Sequence, residues 1–166
     1  MHKHVLDYFQ DTVRRTPDKA AVLHYGKTLT FSQMEVKSRI LASAVLNVVS
    51  TEDSVPVAVF LPKSIEVIVA DIAVMYSANF FSNLDVKTPI ERIRHILEAM
   101  QPALLITNHQ YKPLLASIAG LSIPVLDMDE VLWDTAMSSD ERIEAGLAKR
   151  IDTDPFCIIN TSGSTG

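Results

Sequence analysis

Apolar and polar positions along this chain follow two periods, and the switches between them cut it into short segments. Residues 3–15 put Val5, Leu6, Phe9 and Val13 on one face at helical spacing, and Pro17 stops the predicted helix. Ala20–His24 reads as a strand, Tyr25-Gly26-Lys27 as a turn, and Thr28–Thr30 as a short strand pairing back. Thr30-Phe31-Ser32-Gln33 has the form of a capping box, so a helix is expected from Phe31 to Asn47.

From Val55 the pattern becomes regular. Val55–Leu61 is an apolar strand with Pro56 near its start, where a missing N–H is tolerated. Ser64 can cap the next helix, whose Ile65, Ile68, Val69, Ile72, Ala73 and Tyr76 form the clearest amphipathic stripe in the chain. Phe80–Leu84 is a strand. Thr88-Pro89-Ile90-Glu91 then starts a helix by three signals: a Thr cap, Pro at the first position, and Glu three after the cap. Ile93, Ile96, Leu97 and Met100 are its expected buried face. Ala103–Thr107 is a strand, Gln110–Ala119 a helix with Pro113 near its start, and Ile123–Leu126 another strand. Asp127-x-Asp129-Glu130 reads either as a cation site or as the cap of a helix holding Val131, Leu132 and Trp133, with Trp133 in the core or at a domain interface. Residues 134–154 are polar and predict a surface helix capped by Ser139 or Asp140 and ending near Arg150. Asp152 to Pro155 turns the chain into a last apolar run, Phe156–Ile159, read as a buried strand. The alternation of strand and helix predicts an α/β fold, a mostly parallel layered sheet flanked by helices and joined by right-handed crossovers.

Composition narrows the function. At 166 residues the chain is one ordinary domain's length, and 48% hydrophobic with 21% charged residues is a globular balance. A net charge of −5 without any Lys/Arg cluster argues against nucleic acid as a partner. No stretch is apolar and long enough to span a bilayer, since Val67–Met75 is broken by Asp71. The single cysteine, Cys157, can form no internal disulfide and reads as a small buried hydrophobe. A cytoplasmic protein is the expectation. His2 and His4 read as a solvated terminus, and His24, His95 and His109 share no ligand spacing, so no metal site is assigned.

The chemistry concentrates in Asn160-Thr161-Ser162-Gly163-Ser164-Thr165-Gly166. Gly163 and Gly166 let the backbone approach a ligand with no Cβ in the way. Successive N–H groups in such a turn can converge on one anion, and Thr161, Ser162, Ser164 and Thr165 add hydroxyl donors. No negative charge in the loop would repel phosphate. By composition the stretch also reads as a flexible linker. The apolar strand leading directly into it favours a phosphate cradle.

That loop resembles the first half of the phosphate-binding loop of the AMP-forming adenylating enzymes, the superfamily of acyl-CoA synthetases, luciferases and nonribosomal peptide synthetase adenylation domains. Ser164 is more usual in its amino-acid-activating branch. Other segments agree in order: Thr16-Pro17-Asp18-Lys19-Ala20-Ala21-Val22, Leu29-Thr30-Phe31-Ser32-Gln33-Met34, and Leu84-Asp85 followed by Pro89, Glu91, Arg92 and Ile93. Departures are Ala78 and Asn83, where the family usually has Gly and Pro, and Val86 in place of a Pro.

The resemblance implies that residues 1–166 are the N-terminal portion of an adenylation domain, lacking the rest of the large domain and the C-terminal lid domain. It implies ATP-dependent activation of a carboxylic acid, an amino acid by preference, as an acyl-adenylate with pyrophosphate release. A phosphopantetheine or CoA thiol then accepts the acyl group. Residues 161–166 would hold the β- and γ-phosphates, Mg²⁺ would accompany them, and no catalytic residue lies within this stretch. The implied partners are the remainder of the domain, a carrier protein and a small carboxylic acid. An acyl- or aryl-CoA ligase is the near alternative. A non-catalytic α/β module ending in a linker is the distant one.

Overall fold

The computed structural model describes residues 4–49, 54–118, 120 and 122–160. Helix α1, Val5–Arg15, is closed by a capping box in which His4 takes the cap position and Asp7 reaches back to its N–H. Strands β1, Ala20–His24, and β2, Lys27–Thr30, form an antiparallel hairpin. Helix α2, Phe31–Leu46, starts at the predicted box: Thr30 Oγ1 accepts from Gln33 N at 3.2 Å and Gln33 Oε1 accepts from Thr30 N at 3.0 Å.

Next come β3, Pro56–Phe60, helix α3, Ile65–Tyr76, β4, Phe80–Leu84, and helix α4, Ile90–Met100. They are followed by β5, Leu104–Thr107, a short α5, Lys112–Ala116, β6, Val125–Asp127, α6, Glu141–Leu147, and β7, Cys157–Ile158. Among the described residues the second sheet has the order β6-β5-β3-β4-β7, with every neighbouring pair parallel.

Alternate side chains of the sheet feed two cores. Val57, Val59, Leu104 and Ile106 pack on the α2/α3 side, together with Leu6 of α1 and Ile143 of α6. Ala58, Phe60, Leu84 and Leu105 pack on the other side against Ile93 and Leu97 of α4 and Leu115 of α5. The chain steps from β3 to β4 with α3 on one face. It returns across β3 to β5 with α4 on the opposite face, as crossovers of a single hand require. The result is a three-layer α/β/α arrangement.

Local chemistry shifted several expected boundaries. Thr88 does not cap α4. The carbonyl of Pro89 takes the first helical bonds, from Arg92 N at 2.9 Å and Ile93 N at 3.1 Å, so Pro89 itself is the cap residue. Asp85 organises the turn before it by accepting from Lys87 N at 2.9 Å. On α3 the expected stripe is too narrow. Ile68 is exposed while Ala70 and Val74 are buried, because α2 and the sheet cover the helix from two sides. Asp127 caps only a 3₁₀ turn, Met128–Glu130, and Val131 is already extended. Residues 131–133 are therefore not helical, and Trp133 is 39% exposed rather than core. The polar stretch after it is split: Asp134 caps a 3₁₀ turn at Thr135–Ser139, and an extended Asp140 caps α6. Strand β7 lies in the sheet as expected but at its edge, so Cys157 is half-buried and Ile159 is 80% exposed.

Helix α3 ends in a left-handed turn. Ala78 has φ of 60°, Ala78 N bonds Met75 O at 3.0 Å, and Asn79 N bonds Val74 O at 3.1 Å. This double closure is the helix end that glycine normally completes.

Candidate functional site

All five strands of the parallel sheet point the same way, so the residues after each strand gather along one edge. Inside that edge, Thr107 Oγ1 donates to Phe60 O at 2.9 Å and bolts the ends of β5 and β3 together. At the β7 end, Asn160 Nδ2 donates to Ser82 Oγ at 2.9 Å, which fixes the residue immediately before the predicted phosphate loop against β4. Thr161, Ser162, Gly163, Ser164, Thr165 and Gly166, expected to hold phosphate, lie outside the described residues.

The residues after β5 and β6 form a polar network that spacing along the chain did not reveal. His109 Nδ1 lies 3.2 Å from Asp127 Oδ2, and Lys112 Nζ lies 2.7 Å from Glu130 Oε1 and 3.4 Å from Asp127 Oδ2. His109 N also donates to Asp129 Oδ2 at 2.9 Å. Burial of Asp127 acts to raise its carboxyl. The Asp129 N–H, His109 and Lys112 outweigh it and hold the group below the ordinary range. His109, Asp127 and Glu130 place ligand atoms within 4.8 Å of one another, the spacing of a metal site. The ammonium of Lys112 already stands between the carboxylates, however, so the cluster is a salt-bridged strap joining the β5–α5 connection to β6.

In the sequence Asp71 reads only as an interruption of an apolar run. It faces β4 from α3. Its Oδ2 accepts from Asn83 Nδ2 at 2.9 Å, and its buried Oδ1 has no partner among the described residues. Burial pushes its carboxyl up to about 6, against the opposing bond from Asn83. Asn83, one of the departures from the family pattern, thus serves a carboxylate that would otherwise be stranded. On the same helix the Tyr76 hydroxyl donates to Glu35 at 2.8 Å, and burial pushes the phenol well above its usual range. No described helix is long and apolar enough to cross a membrane.

The family model described as AMP-binding enzyme matches residues 9–166. The chain belongs to that family. Tyrocidine synthase 1 of Brevibacillus parabrevis is 29% identical to this AMP-binding chain over 165 residues, covering 99% of the chain and 14% of the synthase. The D-alanine–D-alanyl carrier protein ligase of Listeria innocua serovar 6a is 28% identical, covering 98% of the chain and 31% of the ligase. Among solved structures, the N-terminal subdomain of Klebsiella oxytoca NpsA, in complex with 3-hydroxybenzoyl-AMSN, superposes with a TM-score of 0.76 at 23% identity. That match covers 99% of the chain and 39% of NpsA. The AMP-binding chain thus has the fold of an adenylation-domain N-terminal region and spans under a third of the length of these two curated relatives.

Proposed function

We propose that this chain supplies the β- and γ-phosphate loop of an enzyme that activates an amino acid with ATP, releasing pyrophosphate, and then passes the acyl group to a thiol. One observation carries the reading. In a chain of the AMP-binding enzyme family, β7 pairs parallel with β4 and brings Asn160, the residue immediately before Thr161 in the sequence, to the carboxyl edge of the sheet. Ligands of open parallel sheets bind beyond that edge. The amino-acid preference is supported by the kinship with a D-alanine-activating ligase, and the thiol step by the carrier protein in that ligase's name.

The loop's work is electrostatic. When a carboxylate attacks the α-phosphorus of ATP, charge accumulates on the departing pyrophosphate. Amides of residues 161–166 and hydroxyls of Thr161, Ser162, Ser164 and Thr165 are donors that need no deprotonation to meet it. Gly163 and Gly166 supply the conformation. The loop has no carboxylate, so Mg²⁺ implied by the family would rest on phosphate oxygens rather than on these side chains. The carboxylate pocket, adenine contacts and catalytic lysine are assigned to the remainder of the domain, with a carrier protein as its partner. Residues 1–166 by themselves should not catalyse ATP–pyrophosphate exchange. In the full-length protein, amino-acid-dependent exchange is expected, and Gly163→Val should abolish it. Unchanged exchange in that variant refutes the loop assignment. Exchange driven only by fatty or aryl acids moves the enzyme to the CoA-ligase branch.

A further inference from the structure

Helix α1 is capped by a nitrogen. The other side-chain caps among the described residues are oxygens, those of Thr30, Asp127, Asp134 and Asp140. At α1 the Leu6 N–H donates to His4 Nδ1 at 3.3 Å, and the His4 N–H donates to Asp7 Oδ2 at 3.2 Å. A ring nitrogen that accepts carries no proton, so this imidazole is neutral with its hydrogen on Nε2. A proton added at Nδ1 turns the acceptor into a donor facing another donor. It also sets a positive charge at the positive end of the helix.

The surroundings oppose that proton as well. His4 lines a cavity between α1 and α6 with Asp7, Gln10, Glu144, Leu147 and Arg150. The charged groups that face it are Asp7 from α1, Glu144 from α6, and Arg150 and Asp154 from the segment after α6. Each carboxylate already has a partner. Asp7 takes the His4 N–H, Glu144 pairs with Arg39 at 2.6 Å, and Asp154 accepts from Ile151 N at 3.0 Å. Arg150 is held by Asp154 at 3.4 Å and by the Ala78 carbonyl, which keeps its charge beside the ring. Burial and the Arg150 charge lower the imidazole from its ordinary 6.5, against the opposing fields of Asp7 and Asp154.

We propose that His4 is a pH-operated latch on α1: bare at Nδ1 it holds the first turn closed, and protonated there it lets that turn open. Leu6 lies in this turn, is 1% exposed and packs into the core with α2 and α3, so opening uncovers apolar surface. The closed turn disfavours the proton, so the latch's contribution is complete above about 6.5 and is lost as pH falls. With 6.5 for the open form and no proton on the closed one, opening at about pH 5 is about 30-fold more frequent than at about pH 7.5. The latch uses none of residues 160–166 and stands without the adenylation reading.

Amide hydrogen exchange of the full-length protein tests it, read by mass spectrometry on peptides covering residues 5–15 and corrected for intrinsic rates. Protection of α1 should fall between several-fold and about 30-fold from about pH 7.5 to about pH 5. His4→Asn caps through a carboxamide oxygen that does not titrate, and should keep α1 protected at both pH values. His4→Ala should leave α1 weakly protected at both. Equal protection of the parent α1 at the two pH values would overturn the latch. So would a His4→Asn variant that loses protection in acid as the parent does, or a His4→Ala variant that matches the parent at about pH 7.5.

Discussion

Replacing Asp71 by Asn should stabilise the fold at about pH 8 and change little near pH 4. Burial lifts the Asp71 carboxyl from 3.8 to about 6 in spite of the bond from Asn83, so the folded chain holds this proton more tightly than the unfolded one. Within that window the folded form carries the extra proton, so stability falls as pH rises through it and remains lower above it. A unit of difference is about 1.4 kcal/mol, which sets the cost of the ionised carboxylate at up to about 3 kcal/mol. Asparagine removes the charge and keeps a carbonyl that can accept the Asn83 amide. With a urea slope of about 2 kcal/mol per molar, a gain of about 1–3 kcal/mol moves the midpoint up by about 0.5–1.5 M. Urea titrations of both chains, followed by circular dichroism at the two pH values, give the comparison. Coincident midpoints at pH 8, or an equal gain at pH 4, would show that the desolvated charge is not the cause.

Ala78 sits at φ of 60° where α3 closes, a conformation costing an L-residue about 1 kcal/mol or more. Ala78→Gly should therefore stabilise the fold by about 0.5–1 kcal/mol after the lost methyl contact, a rise in the urea midpoint of about 0.25–0.5 M. Asp140 behaves oppositely to Asp71: its bond from Arg142, opposed by burial, brings its carboxyl down to about 2, so its contribution is present above pH 3.8 and disappears as pH falls toward about 2. Asp140→Ala should cost about 1 kcal/mol at neutral pH through the lost α6 cap, with the two chains converging near pH 2 in acid titration. Leu105→Ala, fully buried between β3 and β6, should cost about 2–5 kcal/mol in the same urea assay. Thr161→Ala in the full-length enzyme should slow exchange about 100-fold or more if that hydroxyl meets the leaving pyrophosphate.

Features whose physics is local were legible in the sequence. The Thr30–Gln33 box needs only residues three apart, and it formed as written. The alternation of short strands with helices announced a parallel sheet, because parallel neighbours need a long crossover and here each crossover from β3 to β5 is a helix. Features that depend on distant partners were not. Ile68 fits a helical stripe, but which parts of α3 are buried is decided by α2. Trp133 looks like core on its apolar character, but Val131 is already extended and the indole is left half-exposed. His109 meets Asp127 only because β5 and β6 are neighbours in the sheet, a fact absent from spacing along the chain. For the phosphate loop the approach strand was legible, and the structure supports that much of it.

The order of strands also sets a timetable. Strand β4 cannot gain its outer neighbour until β7 has been made, about 70 residues later. At about 5–20 residues per second that is about 4–14 s of ribosomal synthesis. Throughout that interval the nascent chain presents an unpaired β4 flank to chaperones and to other nascent chains. Among these five strands β7 is thus the last to lock, and slow codons placed shortly before it would lengthen the vulnerable period.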